Sequence, residues 1–421
     1  MTQKMPEYRN EPSPTETKPR LWVVSELYYP EVTSTGYYLT QIAEGLTDTF
    51  DVKALCGQPN YSARGTRAPK REVRCGVEIF RAAGTTLNKN VILFRLVNML
   101  TLGLSTFFLS LRQFRKGDRV LVVTNPPTLP FVIAVSSLFR GAAYTLLIHD
   151  NYPEILIAAG KAGDRSLIVK FLGFWNRWLY KHAARIIAVG RDMRELLNSK
   201  TKGLDVSISV IPNWAELETV EPRPRAENSL LKELGLSDRF VLLYAGNMGY
   251  PNDIETILAA AKVLNADPSS RFHFVFLGAG VKLSSIKKFV AENRLSNITL
   301  LDPRPRSEQI DFLNACDAGL VSLVPKMKGV SMPSRTYNIL AAGKPIVGIT
   351  EPESEVDLVI KDDAVGVNVE PGDVDGLLNA LKDLADDPKA LAAMGERARA
   401  ASCEKYSLET ALTAYRRALL G

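Results

Sequence analysis

Short apolar runs alternate with longer amphipathic segments along most of the chain. In the first half, runs rich in Val, Ile and Leu predict strands at 21–25, 51–55, 119–123, 143–148 and 185–189. Apolar residues spaced three or four apart predict helices between these strands at 37–46, 96–112 and 167–183. Regular alternation of strands and helices is typical of parallel α/β architecture.

A second alternating series begins at residue 240. It predicts strands at 240–244, 272–277, 298–301, 318–323 and 345–348, with helices at 253–264, 283–293, 307–315 and 333–342, and a helical tail from 374 that ends at 408–420. The polar stretch 213–228 between the two series contains Pro222 and Pro224 and has the composition of a linker.

The two series predict two Rossmann-like, doubly wound parallel-sheet domains that face a cleft. We expect a flexible tail at 1–20, an N-terminal domain at 21–213, a C-terminal domain at 214–405, and a terminal helix at 406–421 that returns to the N-terminal domain. Ligands of such folds bind beyond the carboxyl ends of the strands, which places the expected active site in the cleft.

The amino-acid composition excludes several classes of metal and disulfide chemistry. The chain has 421 residues, of which 46% are hydrophobic and 23% charged, as in soluble globular proteins. Its four cysteines include no Cys-x-x-Cys pair, and none of its three histidines is at metal-ligand spacing to another. A disulfide scaffold, a cysteine zinc site and most histidine-based metal hydrolases are therefore excluded.

Charge is divided unevenly along the chain. Residues 1–213 contain 28 Lys and Arg against 17 Asp and Glu, a net charge of +11, whereas residues 214–421 contain 24 against 29, a net charge of −5. Basic residues cluster at Arg64, Arg67, Lys70, Arg71 and Arg74 and at Arg112, Arg115, Lys116 and Arg119. No nucleic-acid motif accompanies them, so an anionic membrane surface is the expected partner and nucleic acid is not.

The apolar stretch 96–111 has two interpretations. Its 16 residues fall short of the roughly 20 needed to cross a bilayer. A buried core helix is favoured, and an interfacial helix is the alternative because basic residues follow directly.

Glycine loops and one helix start suggest an anion site. Gly36 precedes the first predicted helix, Gly246-Asn247-Met248-Gly249 follows one strand of the second series, and Gly278-Ala279-Gly280 follows the next. Ser331, Ser334 and Arg335 cluster where the helix beginning at Pro333 would present free N–H groups. Oriented donors plus a fixed positive charge suit a diphosphate.

Several motifs in a fixed order resemble those of GT-B glycosyltransferases of family 4, especially bacterial colanic-acid, O-antigen and capsule enzymes. The carrying segments are Tyr29-Pro30-Glu31 to Gly36, Thr124-Asn125-Pro126-Pro127, His149-Asp150-Asn151-Tyr152-Pro153-Glu154, Val210-Ile211-Pro212-Asn213-Trp214, Tyr244 to Gly249, Gly278 to Gly280, Pro333-Ser334-Arg335 to Pro345, and Ser354-Glu355.

The resemblance implies a nucleotide-sugar donor held mainly by the second domain and transfer with retention, with neither a metal nor a cofactor. It implies catalytic or acceptor-side roles for His149 and Asp150. The implied donor contacts, together with those read from the loops, are Gly36, Gly246, Asn247, Gly249, Gly280, Lys282, Arg304, Arg306, Ser331, Ser334, Arg335, Asn338 and Glu355.

Two departures from the family pattern affect the expected activity. The family carries a glutamate at each of two positions that match Val330 and Asn338 here. Asn338 retains hydrogen-bonding capacity toward a ribose hydroxyl, whereas Val330 has none.

The resulting hypothesis is a retaining transferase that moves a hexose from a nucleotide diphosphate sugar to a lipid-linked or saccharide acceptor in surface-polysaccharide synthesis. We expect it in the cytoplasm, on the inner face of the membrane. A catalytically impaired subunit that binds nucleotide or a partner transferase is one alternative, and a GT-B sugar-nucleotide epimerase is another.

Overall fold

The computed structural model describes residues 18–59, 67–85, 87 and 92–421. Residues 1–17 of the predicted tail and Arg64 of the first basic cluster lie outside the described residues. The described chain forms two α/β domains, each built around one sheet.

The first sheet has eight strands in the order β3-β4-β2-β1-β5-β6-β7-β8. All neighbours are parallel except β3 and β4, which pair antiparallel. The strands are β1 (Arg20–Ser25), β2 (Asp51–Cys56), β3 (Arg71–Arg74), β4 (Val77–Arg81), β5 (Arg119–Val123), β6 (Ala143–Ile148), β7 (Arg185–Ala188) and β8 (Ser207–Val210). The helices are α1 (Ser34–Gly45), α2 (Ile92–Gln113), α3 (Leu129–Arg140), α4 (Glu154–Ala158), α5 (Leu167–His182) and α6 (Arg191–Lys200).

The second sheet is parallel, with six strands in the order β11-β10-β9-β12-β13-β14. The strands are β9 (Phe240–Ala245), β10 (Phe272–Leu277), β11 (Ile298–Leu301), β12 (Ala318–Ser322), β13 (Ile346–Ile349) and β14 (Gly366–Val369). The helices are α7 (Ser229–Glu233), α8 (Glu255–Asn265), α9 (Leu283–Glu292), α10 (Gln309–Asn314), α11 (Arg335–Ala341), α12 (Glu355–Asp363), α13 (Val374–Asp386), α14 (Pro388–Glu404) and α15 (Leu408–Leu420).

The central strands of each sheet are buried on both faces, which is why they read as nearly continuous apolar runs. In β10, for example, every residue is buried. In the first sheet, β1 lies between β2 and β5, and the strand order reverses at β1. In the second sheet, β9 lies between β10 and β12, and the order reverses at β9. Both reversals open crevices at the carboxyl ends of the strands, where the loops before α1 and after β9 lie.

The last helix returns to the first domain. In α15, Leu412 lies against Gly45 at the end of α1. Arg416 donates to the Gly45 carbonyl at 3.0 Å and pairs with Asp48 at 2.9 Å. These contacts fix the chain's carboxyl end on the N-terminal domain.

Helix α1 begins three residues before its predicted start. Thr33 occupies the N-cap, and its side chain accepts from the Gly36 N–H, which allows the helix to begin at Ser34. Gly36 therefore lies within the first turn of α1. A Cβ at that position would lie 2.8 Å from the Glu31 carbonyl oxygen, so the close approach of the preceding loop accounts for the glycine.

Candidate active site

The two domains meet at the carboxyl ends of their strands and are joined there by hydrogen bonds. Ser34 at the start of α1 and Ser334 before α11 have their hydroxyl oxygens 2.8 Å apart. After β6, Asp150 forms an isolated antiparallel bridge with Ser331. Asn151 donates its backbone N–H to the Val330 carbonyl and its side-chain amide to the Gly329 carbonyl, both at 2.8 Å. These contacts form the floor of the cleft.

His149 is held at this floor in its neutral form. Its backbone N–H donates to the Thr124 hydroxyl at 3.2 Å. Burial lowers the pKa of its imidazole from 6.5 to about 4. Its Nε2 is buried and has no hydrogen-bond partner among the described residues. An unpaired buried ring nitrogen next to the domain junction is a candidate hydrogen-bonding group for a bound ligand.

Asp150 lies beside it in a similarly dry environment. Burial raises the pKa of its carboxyl group, and a hydrogen bond from the Ser331 side chain partly opposes that rise. The Asp150 backbone carbonyl accepts from the Thr124 hydroxyl at 3.3 Å. The structure thus brings Asp150 and Ser331, predicted for different roles, into direct contact.

We predict that replacing His149 by asparagine makes the protein less sensitive to acid. Below pH 6.5 the unfolded chain binds a proton that folded His149 does not, so this residue's contribution to stability is lost as pH falls toward 4. Between pH 7 and pH 4, the free energy of unfolding of the parent should fall by up to about 3 kcal/mol more than that of the variant.

Urea titrations of both proteins at several pH values measure this difference. His273, whose burial also lowers its pKa to about 4, is present in both proteins and cancels in the comparison. Parallel acid profiles for the parent and the variant would show that His149 titrates normally in the folded protein.

The glycine loops of the second domain are stacked backbone to backbone. Met248 N–H donates to the Ala279 carbonyl at 2.8 Å, and Lys282 N–H donates to the Met248 carbonyl at 3.0 Å. A Cβ at Gly278 would lie 2.1 Å from the Gly246 oxygen, and one at Gly280 would lie 2.4 Å from the Met248 oxygen. Packing between loops therefore requires both glycines, independently of any ligand.

Gly278→Ala should lower the free energy of unfolding by about 2–4 kcal/mol, because the new methyl group meets backbone atoms and the position has φ +144°. Gly163→Ala is the matched control, since an added Cβ there meets nothing within 4 Å. Equal denaturation midpoints for the two variants in urea would contradict the stacked loops.

The remaining residues of the first glycine loop have separate placements. Asn247 is exposed, and its backbone carbonyl oxygen accepts from the Tyr244 hydroxyl at 2.9 Å and from Asn252 Nδ2 at 3.0 Å. Gly249 is buried, and a Cβ there would lie 3.0 Å from Asn247 Nδ2. This loop thus leaves Asn247 exposed, with its side-chain amide beside Gly249.

Arg335 lies at the centre of the second domain's half of the cleft. Its guanidinium is stacked over the Tyr244 ring at 4.3 Å, and its Nη2 donates to Asn252 Oδ1 at 3.4 Å. A Cβ at Gly246 would lie 3.3 Å from the guanidinium carbon, so that glycine makes room for the arginine. Nη1 is buried and has no partner within the described chain. The side chain is held in place while one donor remains unused.

Two other predicted cations are already paired. Lys282 Nζ donates to the Asn252 carbonyl at 2.8 Å and forms an ion pair with Glu255 at 2.8 Å. Arg304 forms an ion pair with Glu308 at 3.2 Å. Because neither pair is fully buried, a phosphate could compete for these side chains, but Arg335 needs no exchange of partners to bind one.

Asn338 is buried, and its amide is hydrogen-bonded to other protein groups. Its contact with a ribose hydroxyl stays a prediction. Its Oδ1 accepts from the Glu216 N–H at 2.9 Å, and its Nδ2 donates to Glu216 Oε1 at 2.7 Å and to Gln309 Oε1 at 2.8 Å. The asparagine positions the buried Glu216 carboxylate, which sequence reasoning missed.

Arg306 belongs to the same network. It pairs with Glu216, and its guanidinium lies 4.0 Å from the centroid of the Tyr37 ring of α1. Tyr37 is also hydrogen-bonded to Glu216, and burial raises the pKa of its hydroxyl. The linker residue Glu216 therefore joins α1 to the second domain, and Arg306 is committed to that junction in this conformation.

Glu355 is likewise engaged between the domains. Its carboxylate accepts from the Arg191 backbone N–H at 2.6 Å and from Arg191 Nε at 3.1 Å. Burial raises the pKa of its carboxyl group. Arg191 begins α6, so Glu355 caps that helix from the other domain, and its donor contact stays a prediction.

Asp192, which the sequence did not single out, completes this junction. One carboxylate oxygen accepts from the Gly329 N–H at 2.8 Å and from the Glu355 N–H at 3.0 Å. The other accepts from the Met193 N–H at 2.6 Å. A residue of the first domain thus holds two backbone segments of the second.

Acidic residues are dispersed. Within residues 18–59, 67–85, 87 and 92–421, no group of three or more His, Cys, Asp or Glu side chains is placed to hold a metal ion. The only Asp-x-Asp pair begins at Asp373, whose side chain caps α13 by accepting from the Gly376 N–H at 2.9 Å. Asp373 is therefore the N-cap of α13.

A cavity of about 780 Å³ lies in the first domain, at the carboxyl ends of β2 and β4. Four basic residues, Arg67, Lys70, Arg81 and Arg112, line it together with Phe108 and Leu109 of α2. No acidic residue is among the described residues that line it. It lies on the same sheet edge as the cleft and has the charge and size to hold an anionic group attached to an apolar chain.

Comparison with known proteins covers nearly the whole chain. The family models described as "Glycosyl transferase 4-like domain" and "Glycosyl transferases group 1" match residues 34–214 and 227–401. The probable glycosyltransferase WbjE of Pseudomonas aeruginosa is 30% identical over 396 residues, which are 92% of this chain and 94% of WbjE. The putative colanic acid biosynthesis glycosyl transferase WcaI of Escherichia coli K12 is 24% identical over 383 residues, 86% of this chain and 91% of WcaI.

The fold is also found among solved structures. HepE of Anabaena in complex with UDP-glucose superimposes with a TM-score of 0.71 at 15% identity, over 95% of this chain and 99% of that one.

Proposed function

Given that the chain belongs to the family 4 glycosyltransferases of the GT-B fold, we propose that it moves a hexose, with retention, from a nucleoside diphosphate sugar to a lipid-linked or saccharide acceptor. Both halves of the chain match glycosyltransferase models, and the relatives WbjE and WcaI are themselves described as glycosyltransferases. The name of WcaI directs the proposal to bacterial surface polysaccharide.

The unused donor of Arg335 carries the proposal for the sugar donor. Its Nη1 is buried without a described partner, and the guanidinium lies against Gly246 of the first glycine loop. A buried guanidinium N–H that lacks an acceptor is costly unless an anion accepts its hydrogen bond. A diphosphate supplies acceptor oxygens and negative charge at that point, and the HepE structure with UDP-glucose is a precedent in the same fold.

The proposed reaction is attack on the face of the sugar from which the nucleotide leaves. The bond between the anomeric carbon and the donor phosphate oxygen breaks, and a bond from that carbon to the acceptor oxygen forms. The acceptor hydroxyl proton passes to a phosphate oxygen of the departing nucleoside diphosphate. Arg335 stabilises the charge that develops on this leaving group, which is electrostatic catalysis by a preorganised donor. This route needs no resident metal.

His149 and Asp150 are proposed to position the transferred sugar. With its pKa lowered to about 4, His149 is a neutral imidazole at working pH and offers Nε2 for hydrogen bonding to a sugar hydroxyl. Asp150 is held by Ser331 across the domain junction, so sugar contacts in the first domain are coupled to closure on the second.

The basic cavity supports a lipid-linked acceptor. Among the described residues, Arg67, Lys70 and Arg112 form no ion pair, so their charges are available to a phosphate group. Phe108 and Leu109 extend the lining toward an apolar chain. A polyprenyl-type lipid that carries a phosphate or diphosphate next to its sugar has this combination of charge and apolar surface.

We also place the protein on the cytoplasmic face of the membrane. The excess of 11 positive charges in residues 1–213 favours attraction to anionic lipids, with each basic residue near the leaflet contributing about 1 kcal/mol. This electrostatic part should be released by high salt because mobile ions screen exposed charges.

A binding screen tests the donor proposal. Nucleoside diphosphate sugars, the corresponding free nucleotides and the free sugars are compared by their effect on the melting temperature. At least one nucleotide sugar should raise it more than its free nucleotide does. A screen in which no nucleotide and no nucleotide sugar stabilises the protein would reject a donor site.

A further inference from the structure

Exposed apolar side chains concentrate on three neighbouring helices of the first domain. Of the 21 large hydrophobic residues exposed in the described chain, 13 lie on α2, α3 and α5. Helix α3 packs against both α2 and α5, so the three helices form one layer. Isolated exposed apolar residues are ordinary, but a contiguous patch of this size marks an interaction surface.

Helix α2 contributes a stripe at helical spacing. Its exposed residues are Leu93, Phe94, Leu96, Leu100, Leu104 and Phe108. Only 22% of the most apolar 18-residue stretch of α2 is buried. The favoured prediction of a core helix at 96–111 is therefore wrong, and the interfacial alternative agrees with this exposure. At about 1.5 Å per residue, the stripe is roughly 23 Å long.

Helix α2 is long and apolar enough to cross a membrane, but its inner side is bound to the domain. The Asn98 side chain exchanges two hydrogen bonds of 3.0 Å with the Leu87 backbone. The Ser105 hydroxyl accepts from the Ala83 N–H at 2.9 Å. These polar contacts hold α2 flat on the domain, which suits a helix that lies in the surface of a bilayer.

Helix α5 adds an aromatic cluster. Leu167, Ile168, Phe171, Phe174 and Trp175 are exposed there, with Leu167 at 83% and Phe174 at 70%. The Trp175 ring lies edge-on to both Phe171 and Phe174. Phe139 at the end of α3 is 77% exposed and completes the patch. Tryptophan and phenylalanine beside basic residues are typical of membrane interfaces.

The charges of the layer favour an anionic occupant. The three helices contain no Asp or Glu, and their charged residues are Arg95, Arg112, Arg140, Lys170, Arg177 and Lys181. A second copy of this chain, seated face to face, would bring these cations together without a carboxylate between them. An anionic bilayer offers acyl chains to the apolar stripes and phosphate groups to the cations.

We propose that this surface, made of α2, the end of α3, and α5, inserts into the headgroup region of an anionic membrane. This proposal rests on the membrane location given under the proposed function and names the surface responsible for it. It does not depend on the reaction that the protein catalyses. Insertion adds a salt-resistant component to the electrostatic attraction, because apolar burial is not screened by salt.

Tryptophan fluorescence tests the insertion. The full chain is mixed with vesicles of phosphatidylcholine and phosphatidylglycerol, with or without bromine atoms on the acyl chains. Brominated lipid should quench emission, and Trp175→Phe should lower the quenching, because Trp175 is 40% exposed whereas Trp22 and Trp214 are buried at 0% and 1% exposure. Trp178, half-buried on the same helix beside Trp175, accounts for the quenching that remains. Vesicle binding without any quenching would overturn insertion.

Co-sedimentation of variants gives the second measurement. Phe171→Ser combined with Phe174→Ser should lower partitioning onto the vesicles at least roughly tenfold, because two exposed aromatic rings no longer enter the lipid. Val263→Ser, at a residue 53% exposed in the second domain, should leave it unchanged. In 1 M salt a fraction of the parent should stay bound, and complete release would overturn the proposal.

The competing occupant is tested without lipid. Analytical ultracentrifugation should find the parent and the Phe171→Ser/Phe174→Ser variant with the same mass. A parent dimer that the variant loses would assign the surface to a second copy. The nucleotide sugar should raise the melting temperature of the parent and of the variant by the same amount. Failure of membrane insertion is thereby distinguishable from failure of the donor site.

Discussion

Arg335→Ala is expected to weaken binding of the nucleoside diphosphate sugar roughly 10- to 150-fold, which corresponds to the loss of about 1.5–3 kcal/mol from a charge-assisted hydrogen bond. The guanidinium is stacked on Tyr244 and directed by Asn252, and its Nη1 has no partner in the described chain. Folding should suffer less than binding, because removal of the side chain also removes an unpaired buried donor.

Isothermal titration of the folded variant with its donor measures this loss. Arg271→Ala is a matched control: Arg271 lies in the same domain but directly before β10, at the opposite edge of the sheet. It should bind the donor like the parent. An unchanged donor affinity in Arg335→Ala would remove this residue from the site and leave the diphosphate without a proposed charge partner.

Asp192→Ala is expected to lower the free energy of unfolding by about 2–4 kcal/mol, since three backbone N–H groups lose a buried acceptor. Two of these, on Gly329 and Glu355, belong to the other domain. Burial raises the pKa of the Asp192 carboxyl, so relief of that unfavourable desolvation offsets part of the loss. The residue therefore couples stability to domain closure.

Urea unfolding and small-angle scattering measure the two consequences of Asp192→Ala. The radius of gyration should increase as the domain junction loosens, and Asp192→Asn should show a smaller change because one acceptor oxygen remains. Glu195→Ala, an exposed carboxylate on the same helix, is the control and should change neither quantity. A stable Asp192→Ala protein with an unchanged radius would show that the junction is held elsewhere.

Local sequence patterns predicted the fold because each half encodes its own sheet. Apolar runs identified β1, β2, β5, β6 and β7 and all but one strand of the second sheet, since buried parallel strands have little polar surface. The edge strand β3 was missed because its residues alternate between exposed and half-buried. The edge of the second sheet, β14, was missed for a similar reason: each of its residues is only partly buried.

The site was predicted less completely because its contacts join distant parts of the chain. Asn338 and Glu216 are 122 residues apart, and Asp192 is 163 residues from Glu355. No local pattern shows that the Asn338 amide is used by Glu216, or that Glu355 caps a helix of the other domain. The glycine loops were found, but the reason for Gly278 and Gly280 is contact between the two loops.

Helix α2 shows a related limit. Its composition suits both a core helix and an interfacial helix, because both have a wide apolar side. Only the three-dimensional arrangement shows that Leu96, Leu100 and Leu104 face outward while the polar Asn98 faces the domain. Sequence periodicity reports that two sides differ, but not which neighbour each side meets.

Sugar transfer itself is the most direct test of the central claim. The purified protein is incubated with nucleoside diphosphate sugars carrying a labelled hexose and with a lipid extract from polysaccharide-producing cells. We predict that label enters the lipid fraction in step with release of nucleoside diphosphate, that the anomeric configuration is retained, and that Arg335→Ala reduces both. Binding of donor without transfer would favour an impaired subunit. Conversion of the donor to another nucleotide sugar in the absence of lipid would identify an epimerase, and either result would contradict a glycosyltransferase.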